Sequence, residues 1–142
     1  MEILPLKIEL ASKWMKLYPF SVCLDEIYFR ERDNENNLVY ELELTTHQFE
    51  FIIDHYYSNF RELNPESLIY KYHSEEYAIL NDPIAQEREC YRVKEFNDQL
   101  INIREKVVQE NSGAEEALDE LVKICESAMT NKNKLYIFSD YL

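Results

Sequence analysis

His47, His55 and His73 are the first side chains to weigh, because imidazole is the usual base, acid and metal ligand near neutral pH. His47 and His55 stand eight residues apart, about two turns of one helix. That is too far to share a metal without ligands from elsewhere, and no metal-binding motif surrounds them. Asp54 adjoins His55 in sequence but points to another azimuth of a helix. All three histidines read as surface or boundary residues. The carboxylate pairs are Asp25-Glu26, Glu75-Glu76, Glu115-Glu116 and Asp119-Glu120. Such pairs can divide acid and base roles, as in glycoside hydrolysis, but only across a cleft. In a chain with 28 acids they also arise by chance, and most acids on helices face water. No serine sits in a nucleophile motif. Gly113 is the one glycine in 142 residues. Phosphate-cradling loops and nucleophile elbows need glycine where backbone approaches a ligand, so neither is expected.

Cys23, Cys90 and Cys125 are scattered and odd in number, which argues against a disulfide framework, and no pair has metal spacing. Cys125 falls on an apolar stripe and reads as core. Glu2 stands where a leader would be basic, and Lys7 and Glu9 interrupt the apolar run that follows. No stretch approaches a membrane span. The expectation is a reduced, cytoplasmic, soluble chain that needs no cofactor or metal.

What remains is acid combined with tyrosine. The net charge is −13. Residues 1–62 carry twelve acids and six bases, and residues 63–142 carry sixteen and nine, so the excess is general and not a tail. Such a body repels nucleic acid and anionic membranes, and it attracts basic proteins. Eleven tyrosines add stiff contact area with a polar tip. Carboxylates can stand where phosphates would, and rings where bases would stack. The expected function is therefore an acidic inhibitor of a basic, nucleic-acid-acting partner, not an enzyme. It would occlude the partner's phosphate-binding surface, as an immunity protein or antitoxin does for a toxin nuclease, or a phage protein for a defence enzyme. The alternatives are a structural or adaptor subunit whose acidity only keeps it in solution, and a hydrolase using a carboxylate pair.

These residues need a scaffold. The sequence predicts one α+β domain over 1–142, mostly helical, with a small antiparallel β-sheet. Its centre is a long antiparallel helical hairpin over about 83–129. Asp82-Pro83 has cap and proline in the right order for a helix start. Val93, Phe96, Leu100, Ile103 and Val107 then form one apolar stripe, and Asn111-Ser112-Gly113 ends it. Ser112 with Glu115 reads as a capping box for the next helix, striped by Ala114, Ala117, Leu118, Leu121, Cys125 and Ala128.

Leu6 to Tyr18 reads as a first helix carrying Trp14, although Leu6, Ile8 and Leu10 also alternate as a strand would. Glu26 to Arg32 and Leu38 to Leu44 read as a hairpin, with Glu41 and Glu43 opposite the arginines of the first strand. Thr45 or Thr46 caps a helix to about Glu62, with Phe49, Ile52, Ile53, Tyr56 and Phe60 inward. Pro65 to Leu80 reads as a helix, and Leu135 to Phe138 as a strand that could join the sheet edge. The partner surface is placed on Glu50, Phe51, Asp54 and Tyr57, with Phe51 nearly opposite the core stripe and in need of a partner or second layer. Glu115, Glu116, Asp119 and Glu120 form a second, steering face without an aromatic.

Overall fold

A computed structural model describes residues 4–10, 26–59, 67–73 and 87–140 of the chain. Among these residues five strands and four α-helices make an α+β fold. They are β1 (Leu6–Glu9), β2 (Glu26–Arg32), β3 (Leu38–Thr45), α1 (Thr46–Asn59), α2 (Leu68–His73), β4 (Arg88–Glu89), α3 (Val93–Glu110), α4 (Glu115–Thr130) and β5 (Lys134–Asp140). A turn of 3-10 helix, Ser112–Ala114, joins α3 to α4.

The strands form one sheet in the order β1-β3-β2-β5-β4. β2 and β3 pair antiparallel, joined by a tight polar loop. Asp33 shapes that loop by accepting hydrogen bonds from the Glu35 and Asn37 amides, each 2.9 Å long. Asn36 supplies its one left-handed residue, a conformation asparagine tolerates. The expected small antiparallel sheet is corrected to a mixed one, because β1 runs parallel to β3. The alternation of Leu6, Ile8 and Leu10 therefore outweighs the helical spacing at the start of the first-helix expectation. The rest of that helix, with Trp14, lies outside the described residues. β5 is not an edge strand either. It pairs with β2 along its length and with β4 on its other side.

One face of the sheet is apolar. Ile27, Phe29, Leu42, Leu44 and Leu135 are wholly buried against the helices. Phe29, Phe49 and Phe96 bring β2, α1 and α3 together, with ring centroids 5.2 to 6.4 Å apart, and Tyr72 of α2 meets Phe49 edge-on at 5.0 Å. Such contacts hold aromatics beyond the area they bury. α1 starts with a capping box. The Gln48 amide donates to Thr45 Oγ1 at 3.0 Å, and the Thr45 amide donates to Gln48 Oε1 at 2.9 Å. Phe49, Ile52 and Ile53 are its buried stripe; the side chains of Tyr56 and Tyr57, and Phe60 as a whole, lie outside the described set.

The stripe of α3 is as the spacing predicts, with Phe96, Leu100, Ile103 and Val107 buried and Val93 packed beside them. Its start is corrected. The chain at Arg88–Glu89 pairs with β5 and α3 begins at Val93, so the expected hairpin is not continuous helix over 83–110; Asp82-Pro83 itself lies outside the described residues. Strand pairing satisfies backbone that a longer helix would otherwise use. α4 buries five of the six expected stripe residues and Ile124 as well, and the sixth, Ala114, is buried in the turn before it. Its N-cap is Ala114, with no side-chain cap bond, and not Ser112 as the expected capping box would have it; the Ser112 side chain lies outside the described set. Asn111 stabilises the turn instead, its Oδ1 accepting the Gly113 amide at 2.9 Å. α4 ends through Lys132 at positive φ, which lets the Asn133 amide reach back to the Ala128 carbonyl at 2.9 Å. Of the predicted helix over 65–80, Leu68–His73 is helical, and the remainder falls largely outside the described residues.

Candidate functional site

The other face of the sheet carries the chemistry. Alternation along β2 turns Glu26, Tyr28, Arg30 and Arg32 away from the helices. The register then sets Tyr28 between Glu43 of β3 and Phe138 of β5, and Arg30 between Glu41 and Tyr136. The Arg30 guanidinium lies 4.8 Å from the ring centres of both Tyr28 and Phe138. It donates to Glu41 at 2.8 Å and to Glu87 at 2.9 Å. Arg32 takes both oxygens of Glu87, at 3.0 and 2.8 Å. Burial alone would raise the Glu87 carboxyl, but the hydrogen bonds from Arg32 and Arg30 hold it below the usual range. The Arg30 side chain keeps only 20% of its exposure, so this lattice is locked rather than solvated.

Beside it lies a carboxyl cluster. The Tyr28 hydroxyl donates to Glu26 at 2.6 Å and stands 3.1 Å from Glu43 Oε1. Burial, the hydrogen bond with Glu26 and its charge push the Glu43 carboxyl up to about 7, with Glu9 of β1 adding to the field. Burial and Glu26 push the Tyr28 phenol far above its ordinary range. Glu43 therefore carries a proton at a pH where a free carboxyl has lost it. Perturbed groups gathered on one surface mark it as a site candidate. The expectation that Glu41 and Glu43 both face arginines holds for Glu41 alone.

The acids singled out from sequence are largely engaged within the chain. Glu50 accepts from the Tyr72 hydroxyl at 2.8 Å. Phe51 does not stand opposite the core. It is half-buried, packs on the core edge and meets the His55 ring at 4.9 Å, so of the expected partner or second layer it has neighbours within the chain. Its carbonyl lies 2.7 Å from His55 Nδ1, and Glu110 of α3 lies 2.8 Å from Nε2, so His55 ties α1 to α3. Asp54 is exposed, and the Tyr57 side chain is outside the described set. On α4, Glu115 and Asp119 both accept from Arg104, at 2.7 and 2.9 Å. Glu120 accepts from the Tyr40 hydroxyl at 3.0 Å and from Lys123 at 3.1 Å. Glu116 remains exposed.

Glu31 was missed. It follows Ile27 and Phe29 in the inward alternation and is wholly buried. Ser127, Asn131 and Asn133 donate to it at 2.5, 3.4 and 2.6 Å. The alternation could have found its position, but its partners lie about a hundred residues on. Among the described residues no cluster of His, Cys, Asp and Glu could hold a metal ion, and no helix is long and apolar enough to cross a membrane. Comparison with protein-family models, with curated proteins and with solved structures finds no match to this chain.

Proposed function

We propose that this domain binds and blocks a basic, nucleic-acid-acting protein, in the manner of an immunity protein, an antitoxin or a phage protein directed at a defence enzyme. The observation that supports this reading is how the cations are used. Arg30, Arg32, Arg92, Lys94, Arg104, Lys123 and Lys134 each pair with an acid of the same chain. These cations are neutralised in place, in a chain whose net charge is −13. Such a field speeds encounter with a basic partner and excludes nucleic acid. Contact falls to the two faces chosen from sequence, on which Asp54 of α1 and Glu116 of α4 are exposed acids.

The test is affinity capture from native lysate, followed by surface-coupled kinetics at two salt concentrations. Asp54→Ala with Tyr57→Ala should shorten the lifetime of the complex. Glu116→Ala with Glu126→Ala, a second exposed acid of α4, should slow association and weaken its salt dependence. Unchanged affinity in both doubles contradicts the site; capture of no basic protein contradicts the function.

The Glu26–Tyr28–Glu43 cluster favours a second reading, a hydrolase in which protonated Glu43 is the acid and Glu26 the base. Hydrolysis lost in Glu43→Gln and retained in Asp54→Ala would establish it instead.

A further inference from the structure

β1 ends the sheet, and among the described residues its outer edge pairs with no other strand. The direction of its backbone groups follows from one bond. The Leu10 amide donates to the Glu43 carbonyl at 2.9 Å. Hydrogen-bonding sides alternate along a strand, so Leu6 and Ile8 also address β3, while the N–H and C=O of Lys7 and Glu9 point to the open edge. The two faces beside this edge differ. On the core side, Leu4 is 83% exposed and Leu6 51%, continuing the apolar line of Ile8 and Leu10. On the other side, Glu9 stands level with Glu43, and Lys7 with Glu41. An edge that no strand among the described residues covers is a template for another strand.

We infer that this edge takes an extended segment of the basic partner, added as a sixth strand, with residues that alternate between apolar and polar and a lysine or arginine opposite Glu9. This rests on the binding reading above and names how the partner is held. Main-chain bonds from Lys7 and Glu9 supply the pairing, Leu4 and Leu6 take the apolar side chains, and the Glu9–Glu43 pair takes the cation. A second copy of this chain fits less well, because two bodies of net charge −13 repel each other.

The probe is a short peptide of alternating valine and lysine, blocked at both ends, studied by amide hydrogen exchange and titration calorimetry with the full chain. At saturation the amides of Lys7 and Glu9 should exchange slowly, while that of Leu10 is slow with or without peptide. Glu9→Pro deletes one outward N–H together with the carboxylate that meets the cation and leaves the bonds to β3 intact, so it should weaken binding about tenfold or more, on the order of one hydrogen bond and one ion contact, whereas Glu9→Gln, which keeps the N–H, should weaken it less. The same peptide with glutamate in place of lysine should not bind. Fast exchange at Lys7 and Glu9 with peptide bound, or equal binding by Glu9→Pro, overturns the inference. So does a dimer in which those amides are already slow without peptide. If a captured basic protein binds Glu9→Pro as tightly as wild type, the edge assignment fails and the binding reading survives. If no basic protein is captured, that reading fails, whatever the peptide does.

Discussion

Ser127 Oγ donates a 2.5 Å hydrogen bond to the buried carboxylate of Glu31, joining the last turn of α4 to the centre of the sheet. Asn133, just beyond that helix, donates to the same carboxylate at 2.6 Å. Removing the acceptor leaves these part-buried donors without the partner they share and empties a wholly buried position. Glu31→Ala should therefore cost about 3 kcal/mol in a urea melt. A cost below about 1 kcal/mol would show that the cluster does not hold α4 to β2.

Glu43 gives the fold a pH dependence of defined sign. Its folded carboxyl is raised from 4.5 to about 7, so it binds a proton more tightly folded than unfolded. The contribution is fully present below pH 4.5 and is lost as pH rises through about 7. Glu43→Gln should gain stability relative to wild type across that window. Parallel urea midpoints at each pH would contradict the raised carboxyl.

The parts of this chain that were legible in sequence are those set by neighbours at three, four or two residues. The stripe from Phe96 to Val107, the stripe from Ala114 to Ala128, and the alternation of β2 and β3 all needed only local spacing. The errors arose where distant chain decides. Cap chemistry at Asp82-Pro83, outside the described residues, predicts one helix running on through Val107, but Arg88–Glu89 has β5 to pair with, nearly fifty residues later. Leu6–Glu9 is too short to choose its own structure and takes it from β3. The site shows the same division. Glu41 opposite Arg30 follows from hairpin register, whereas Glu87 reaches Arg30 and Arg32 from across the fold. The acids of α4 looked free because Arg104, which takes two of them, sits on another helix.

Leu100 is wholly buried in the middle of α3. Leu100→Ala should cost about 2–5 kcal/mol in a denaturant melt, and a glutamate there should cost more. A variant within error of wild type would mean that α3 is not part of the core.

Cys90 and Cys125 are buried free thiols. Burial pushes Cys125 up to about 12 and Cys90 well above its ordinary value. Both should resist a thiol reagent at pH 8 in the folded protein and react once it is unfolded. Cys23 should be reactive in the unfolded chain too, giving three thiols without reductant. A disulfide in freshly purified protein would contradict this.

The central claim is that surplus acid on this domain occludes a basic, phosphate-seeking surface. The direct measurement is nucleic-acid binding by the captured basic protein, titrated with this domain at low and moderate salt. The account predicts loss of nucleic-acid binding at one equivalent, with an inhibition constant that weakens as salt is added. A stable complex whose nucleic-acid binding is unchanged at saturation would contradict it.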